Sequence, residues 1–184
     1  MTDAQQRALC QALSGLLSYP GAEARQQAAA ARELGRDTGL AEPLARFAER
    51  TGRLSPAALE ELYTSTFDLQ AACLPYVGHQ LLGDGPQRGP FLARLVEVYR
   101  DGGYTARHEL PDHLTEALAF LAVAPPSAER DDLVVDGLQP ALVKMLDGFE
   151  DRDNPYRDLL VAAQALLRPA RPSSRAGAQA EVRP

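Results

Sequence analysis

Three segments decide how this chain is interpreted: YTSTFDL (residues 63–69), YVGHQLLGD (residues 76–84) and ELPDHL (residues 109–114). All three histidines of the 184-residue chain lie between residues 63 and 121. The same region has the densest mixture of aromatic, glycine, proline and acidic residues. The flanking thirds show mainly the apolar spacing of amphipathic helices. We therefore expect the function to reside in the middle third, on a helical framework that the rest of the chain supplies.

The composition predicts a helical domain of ordinary size. The chain is 45% hydrophobic and 24% charged, as is usual for a globular protein. Ala and Leu dominate its apolar residues and β-branched residues are sparse, which favours helix throughout. We expect one all-α bundle of about seven to eight helices over residues 1–168. A tail rich in Pro, Ala, Ser and Arg over residues 169–184 is expected to be disordered.

Charge and cysteine usage narrow the function classes. A net charge of −6 disfavours a nucleic-acid partner and suits a basic one such as a cationic peptide, although the same acidity also serves solubility alone. The two cysteines, Cys10 and Cys73, form no CxxC pair, so neither a disulfide framework nor a zinc motif is indicated. No signal peptide and no apolar run of ~20 residues is present. We expect a soluble, cytoplasmic protein without membrane insertion.

Capping residues and prolines predict the ends of the helices. Thr2 is placed to cap a first helix, Ser55-Pro56 opens another, and Asn154-Pro155 opens the last. Pro140 falls inside a predicted helix over residues 128–149 and should kink or split it. The helix predicted over residues 90–100 is expected to bury Leu92, Leu95, Val96 and Tyr99.

A metal site is the first chemical candidate. HELPDH (residues 108–113) superficially resembles the zinc motif HExxH. Its two histidines are five residues apart instead of four, and Pro111 interrupts the helix between them, so they cannot share a helical face. The alternative prediction is structural. Asp112 would cap the N-terminus of the following helix, and His113 would lie in its first turn.

Phosphate binding and nucleophilic catalysis are weaker candidates. GDGPQRG (residues 83–89) is glycine-rich but lacks the Lys-Ser/Thr of a P-loop and follows no strand. Arg88 could bind an anion near a helix N-terminus, while a contact with a carboxylate is the simpler interpretation. Cys73 lies near His79 in sequence, yet nothing indicates an activated thiol, and a lone cysteine is commonly a buried small side chain.

A peptide-binding groove is the fourth candidate. Large apolar and aromatic residues surround a break between helices, and such breaks can leave a cleft for an amphipathic segment. An alternative is that these residues are simply core. The apolar set is Tyr63, Phe67, Tyr76, Val77, Leu81, Leu82 and Phe91, with an acidic surround of Glu60, Glu61, Asp68, Asp84, Glu109 and Asp112.

Together these blocks resemble a known family. The pattern YxxTFDL, then His79 with Gly83-Asp84, then Arg88-Gly89, then YxxG (residues 99–102), then ELPDHL is similar to the NarJ-type assembly chaperones of respiratory nitrate reductase. These belong to the TorD/DmsD group of molybdoenzyme maturation chaperones. LLSYP (residues 16–20) also resembles the family's opening. The likeness covers about residues 9–167, and ELPDHL is its most specific element.

The resemblance implies an all-helical chaperone with no enzymatic activity and no cofactor of its own. Such chaperones bind the apo catalytic subunit through its N-terminal peptide until the molybdenum cofactor and an iron–sulfur cluster are inserted. Contact with proteins that deliver the molybdenum cofactor is also compatible with it. The positions expected to contact the client or shape its site are Tyr63, Phe67, Tyr76, Val77, His79, Leu82, Arg88, Glu109, Asp112 and His113.

The sequence leaves the identity of the client open. CLPYVGHQLLG (residues 73–83) departs from the Ser- and Leu-rich segment of nitrate reductase chaperones. It looks closer to relatives that serve selenate, chlorate or perchlorate reductase, dimethyl sulfide dehydrogenase or ethylbenzene dehydrogenase. A small metal- or nucleotide-dependent enzyme is the alternative from another class. Our hypothesis places the client peptide in a cleft near Tyr76 and His79, with an acidic rim that selects basic residues.

Overall fold

The computed structural model describes residues 1–69 and 73–168, and these residues fold into helices. The tail predicted over residues 169–184 lies outside them. One isolated antiparallel bridge, between Tyr76 and His113, is the sole β-type pairing in the described part of the chain. The helices are α1 (Asp3–Leu16), α2 (Ala24–Leu34), α3 (Ala41–Gly52), α4 (Pro56–Phe67), α5 (Val77–Leu82), α6 (Arg88–Asp101), α7 (Leu114–Val123), α8 (Ala128–Asp132), a π-helix (Leu133–Leu138), α9 (Gln139–Gly148) and α10 (Pro155–Leu166).

The all-α fold predicted from the sequence is confirmed, with one or two more helical rods than expected among the described residues. Because α8, the π-helix and α9 follow one another without a break, the described residues form nine helical rods where about seven to eight were predicted. The prediction that the chain lacks extended strands also holds for these residues. A helix as short as α5 is marginal in isolation and forms here because the surrounding chain packs on it.

The predicted capping residues start their helices. Thr2 accepts the backbone N–H of Gln5 at 3.2 Å. Ser55 accepts the N–H of Ala58 at 3.2 Å, with Pro56 in the first turn. The Asn154 side chain caps α10 in the same way. Each bond satisfies a backbone donor that a helix N-terminus would otherwise leave unpaired.

The helical run that contains Pro140 changes its hydrogen-bond pattern just before the proline. The predicted helix is split into α8 and α9 by a π-helix over residues Leu133–Leu138, in which the N–H of Gln139 bonds to the carbonyl of Val134. Proline has no N–H and cannot make the usual bond one turn back. The wider turn lets the helical run continue through the proline into α9.

The core lies between α1, α7 and α10. Helix α1 packs against α7, α2 and α10, while α10 also contacts α3 and α9. Their apolar faces supply most of the fully buried leucines, as the sequence predicted. Of the four α6 residues predicted to be buried, Leu95 and Tyr99 are buried and Leu92 is half-buried. The prediction for Val96 was wrong: it is 51% exposed, because it lies about 100° around the helix from Leu95.

No helix in the described ranges combines the length and apolar character that a membrane span requires.

Candidate functional site

The ELPDHL segment pairs with the chain just before α5. The N–H of Val77 donates to the carbonyl of Asp112 at 2.7 Å, and the N–H of Leu114 donates to the carbonyl of Pro75 at 2.7 Å. Two parts of the chain that are distant in sequence are thereby held side by side at the entrances of α5 and α7. This pairing brings together two of the three segments that the sequence singled out.

An ion pair with a buried carboxylate stabilises the junction, which is the place where residues 75–77 pair with residues 112–114. Arg88 donates to Asp112 through Nε (2.9 Å) and Nη2 (3.3 Å), and the Asp112 side chain is fully buried. The two-point contact makes this pair geometrically specific. Gly78 allows the close approach, because a Cβ there would lie 2.7 Å from Oδ2 of Asp112 and 2.9 Å from Phe91. The carboxylate contact expected for Arg88 is therefore confirmed.

The predicted capping role of Asp112 was wrong. His113 is the N-cap of α7, and its side chain accepts the N–H of Thr115. Asp112 turns away from the helix because the guanidinium of Arg88 offers a two-point charged partner, which is a stronger interaction than a bond to a backbone amide. For the same reason Asp112 does not belong to the acidic surface of the site.

Tyr76, His113 and Glu109 form a small contact cluster on this junction. The rings of Tyr76 and His113 meet edge to face with centroids 4.9 Å apart. The Tyr76 hydroxyl donates to Oε2 of Glu109 at 3.2 Å. The guanidinium of Arg88 lies 5.4 Å from the centre of the Tyr76 ring. Tyr76 therefore links the ion pair to the ELPDHL segment.

His79 and Leu82 lie in α5, next to the GDGPQRG loop. Nδ1 of His79 is 3.0 Å from Oδ1 of Asp84, and Asp84 is also 3.7 Å from Nη1 of Arg88. Leu82 is 36% exposed. The GDGPQRG loop is thus tied to α5 and α6 by its own charged residues.

Tyr63, Phe67 and Val77 are buried. Tyr63 and Phe67 pack on Tyr156, with ring centroids 5.7 Å and 5.1 Å away. Tyr19 stacks edge to face on Tyr63 at 5.4 Å and is itself 57% exposed. Phe67 and Val77 can support a site from within the core, while Tyr63 presents an edge to a cleft described next.

An open cleft of about 720 Å³ runs along the outer side of this cluster. It lies between the end of α1, α4, the loop over residues 103–109 and the start of α7. Of the predicted site residues, Tyr63, Glu109 and His113 line it, whereas Tyr76 and His79 do not. Its walls are mainly hydroxyl-bearing and charged. The lining is Gln11, Ser14, Gly15, Ser18, Tyr19, Tyr63, Gly103, Tyr104, Thr105, Arg107, His108, Glu109, His113, Thr115, Glu116 and Ala119.

Glu116 organises the cleft, and the sequence analysis missed it. Its Oε1 accepts the N–H groups of His108 and Glu109 at 3.0 and 3.1 Å, and Oε2 accepts the hydroxyl of Tyr104 at 2.5 Å. Burial acts to raise the pKa of Glu116, but these hydrogen bonds outweigh it and leave the pKa below its ordinary value. A carboxylate among the apolar residues of LTEALAFL (residues 114–121) was the available signal.

Burial also sets the protonation of the cluster. It lowers the pKa of His113 below the ordinary 6.5, although the carboxylates of Glu109, Glu116 and Asp112 act in the opposite direction. The neutral ring is the form that can accept the N–H of Thr115. Burial, followed by the carboxylate of Glu109, raises the pKa of Tyr76. At neutral pH both rings therefore take part as uncharged hydrogen-bonding groups.

The arrangement suits binding better than covalent chemistry. Cys73 is buried and burial raises the pKa of its thiol, which is the opposite of activation. Within residues 1–69 and 73–168, no three His, Cys, Asp or Glu side chains come together as metal ligands. What the site offers is an open, polar cleft held in shape by buried hydrogen bonds.

Comparison with known proteins decides the family. A family model described as the nitrate reductase delta subunit matches residues 31–162. The chain belongs to this family. A relative in Bacillus subtilis (strain 168), a probable nitrate reductase molybdenum cofactor assembly chaperone, is 33% identical over 160 residues, which span 85% of this chain and 86% of the relative. This confirms the class predicted from the sequence, a maturation chaperone of the nitrate reductase delta-subunit family and not an enzyme.

A solved structure supports the same fold. The crystal structure of a redox enzyme maturation protein from Archaeoglobus fulgidus superposes with a TM-score of 0.61 at 23% sequence identity. The match covers 88% of this chain and 93% of that one. At this identity the likeness concerns the fold, and the delta-subunit family assignment rests on the sequence matches.

Proposed function

We propose that this delta-subunit family chaperone binds the apo catalytic subunit of a respiratory nitrate reductase in the cytoplasm, through the subunit's N-terminal peptide. It holds that subunit competent for insertion of the molybdenum cofactor and an iron–sulfur cluster. The observation that carries the proposal is the open cleft beside the ELPDHL segment. The family of this chain and its relative in Bacillus subtilis are both named for nitrate reductase, which supports that client. Another molybdoenzyme of the selenate, chlorate, dimethyl sulfide or ethylbenzene type is the alternative client.

The cleft has the size and chemistry to take a peptide. A volume of about 720 Å³ accommodates several side chains, and the cleft is partly open to solvent. Hydroxyl groups on Ser18, Tyr19 and Thr105 can bond to the backbone of a bound segment. The exposed ring of Tyr19, backed by Tyr63, gives an apolar surface at one end. An aromatic group of this kind is a common anchor in interfaces.

Charge at the cleft favours a basic client segment. Glu109 is exposed and Glu116 lies deeper, while Arg107 is the lining residue with a fixed positive charge. The whole chain carries a net charge of −6. Such complementarity accelerates encounter and selects partners more than it adds affinity.

The other predicted site residues do not line the cleft, and several of them hold the residues that do. Tyr76 holds Glu109 and packs on His113, and the Arg88–Asp112 pair holds the segment that carries both. Phe67 and Val77 support the same region from the core. His79 and Leu82 lie beside the junction and are assigned to the edge of the client surface.

Binding of this kind must be reversible. Ordering a flexible peptide costs free energy at binding, so a moderate affinity is expected. Release follows cofactor insertion only if the folded client binds worse than the open one. A peptide that becomes buried in the finished enzyme would meet this requirement.

The proposal is tested first by a pull-down of the tagged full chain from its native host under respiratory growth. Mass spectrometry should find a large molybdoenzyme catalytic subunit that lacks its cofactor. Recovery of no such subunit under several respiratory conditions would contradict the proposed function.

Calorimetry with a synthetic peptide of that subunit's N-terminus then tests the cleft. Tyr19→Ala and Glu109→Gln should each weaken binding about tenfold, with an unchanged helical spectrum. Glu97→Gln, on the exposed side of α6, is the matched control. If the cleft variants bind the peptide as tightly as the control does, the peptide binds elsewhere on the chaperone.

A further inference from the structure

A second groove lies between α6 and the helical run formed by α8 and the π-helix. Its volume is about 210 Å³, and it shares no lining residue with the cleft described above. Both walls contribute residues at helical spacing, so the groove is bounded by one face of each helical element. The lining is Phe91, Arg94, Leu95 and Val98 from α6, with Glu129, Asp132, Leu133, Asp136 and Gly137 from the opposite wall.

The floor of this groove is apolar. Leu95 and Leu133 are buried at 4% and 8% exposure, and Phe91 and Val98 are half-buried. Phe91, Leu95 and Val98 follow one another at i, i+4 and i+7, so they form one stripe along α6. Half-buried apolar groups in a groove gain free energy when a second apolar face covers them.

One edge of the groove is acidic and unpaired. Glu129, Asp132 and Asp136 occur at i, i+3 and i+7 and therefore lie along one side of their helical run. Among the described residues none of the three has an ion-pair partner within 4.0 Å. The cationic residue of the lining, Arg94, pairs with Glu97 on its own helix at 3.2 Å. Within residues 1–69 and 73–168, the carboxylates of the groove thus have no ion-pair partner.

The π-helix forms part of this edge. It runs from Leu133 to Leu138 and contributes Asp136 and Gly137 to the lining. Gly137 faces inward, where an added Cβ would lie 3.2 Å from Leu133 and 3.9 Å from Val77. Short π segments occur frequently at functional sites because the wider turn changes which side chains a helix presents.

We propose that this groove is a docking site for a positively charged amphipathic helix of a protein partner. The apolar stripe fits the apolar face of such a helix, and the carboxylates fit its flanking Lys or Arg side chains. The carboxylates span about 10 Å along their helical run, at 1.5 Å per residue, which matches cations two turns apart on the partner. Nucleic acids and anionic lipid surfaces are repelled by the same edge.

The occupant is distinct from the peptide bound in the cleft. The groove and the cleft have separate lining residues, so a partner can occupy the groove while the client's N-terminal peptide occupies the cleft. The chaperone would then hold two protein segments at once. Where both segments belong to one client chain, such two-point attachment raises the overall affinity because the second contact becomes intramolecular.

The test is a titration of the ¹⁵N-labelled full chain with a synthetic Leu/Lys peptide of about 14 residues whose leucines share one helical face. A peptide with Glu in place of Lys is the charge control. We expect amide shifts at Leu95 and Gly137, tighter binding of the Lys peptide than of the Glu peptide, and a weaker interaction at high salt. The groove's two edge aspartates are then reversed together as Asp132→Lys and Asp136→Lys. This variant should lose about tenfold in affinity.

Asp131→Lys is the control, since it makes one such Asp→Lys exchange, half the charge change of the double variant, on the same helical run at an exposed residue outside the groove. It should alter affinity by less than about twofold. Amide shifts confined to Glu109, Glu116 and their cleft neighbours would overturn the groove proposal while leaving the cleft in place. Equal losses in the Asp131→Lys variant and the groove variant, or equal binding of the Glu peptide, would also overturn it. If the cleft variants do not affect binding of the client peptide, the cleft part of the proposed function is contradicted and the groove proposal is unaffected.

Discussion

Arg88 and Asp112 form a two-point ion pair in which the Asp112 side chain is completely buried and the Arg88 side chain is 21% exposed. The pair joins the start of α6 to the ELPDHL segment. Because the backbone carbonyl of Asp112 also accepts the N–H of Val77, this one residue connects α5, α6 and α7. The asymmetry of exposure determines how each partner responds to mutation.

Removing Arg88 should cost more stability than removing the charge of Asp112. Arg88→Ala leaves a buried carboxylate without its counter-charge, for which a loss of about 3 kcal/mol is expected. Asp112→Asn leaves a guanidinium that reaches solvent and should cost less. Urea unfolding of both variants measures the difference. Arg94→Ala on the same helix breaks only an exposed pair and should cost at most about 0.5 kcal/mol. Equal costs for the three variants would contradict the burial argument.

Gly78 should not tolerate a side chain. Gly78→Ala places a methyl group 2.7 Å from Asp112 and 2.9 Å from the ring of Phe91, so the ion pair or the ring must shift. We expect a loss of about 1–3 kcal/mol in the free energy of unfolding. Gly89→Ala is the control, because nothing lies within 4 Å of that added Cβ and the residue is helical. It should be neutral or stabilising by about 0.5–1 kcal/mol.

The free energy of unfolding should fall on mild acidification, because His113 becomes protonated. Its pKa is lowered in the folded chain, so between that pKa and 6.5 the unfolded chain binds more protons. The contribution of the neutral His113 ring to the free energy of unfolding is fully present above pH 6.5. It is lost as the pH falls towards the pKa of His113 in the folded chain. Protonation also removes the acceptor that caps α7.

The variant His113→Asn isolates this contribution. Asparagine is a good N-cap but does not titrate, so the variant should keep helix α7 and lose part of the pH dependence. The measurement is the free energy of unfolding at pH 7.5 and at pH 5.5, compared between the variant and the unmodified chain. Glu116 titrates below this window, since its pKa lies under 4.5. Identical slopes for the two proteins would show that His113 is not the group responsible.

Glu116 should order the loop that lines the cleft. Glu116→Gln removes the negative charge that accepts the N–H groups of His108 and Glu109. Hydrogen bonds to a charged acceptor contribute about 1.5–3 kcal/mol, so amide exchange at these two positions should accelerate at least about tenfold. Hydrogen-exchange mass spectrometry detects the change. Glu49→Gln, at an exposed ion pair on α3, should leave exchange at residues 108 and 109 unaltered.

Asn154 should contribute more than an ordinary helix cap. Its Oδ1 accepts the N–H of Tyr156 at 3.0 Å and its Nδ2 donates to Thr66 at 2.7 Å in the buried core. Asn154→Asp keeps the cap and removes the donor, whereas Asn154→Ala removes both. Thermal unfolding should show that Asn154→Asp is more stable than Asn154→Ala. The alanine variant should lose about 2 kcal/mol or more in the free energy of unfolding. If the cap were the whole contribution, the Asp variant would be as stable as the unmodified chain.

The sequence alone determined the helical framework, because the signals for it are local. Thr2, Ser55 and Asn154 cap the helices that they were predicted to cap, and the apolar spacing identified the buried leucines. Side-chain hydrogen bonds over three residues and a repeat of 3.6 residues are both properties of a short window of chain. The order of the blocks around ELPDHL, which is also a property of the chain itself, likewise indicates the chaperone class.

Tertiary structure alone decided how the site is built. Asp112 pairs with Arg88 and does not cap α7, whose N-cap is His113. Glu116 accepts the hydrogen bonds that shape the cleft. Neither Tyr76 nor His79 lines that cleft. Each outcome depends on which partner a polar group meets at long range and on how deeply it is buried. A buried carboxylate takes the strongest partner that the fold brings to it, and a sequence pattern does not contain that competition.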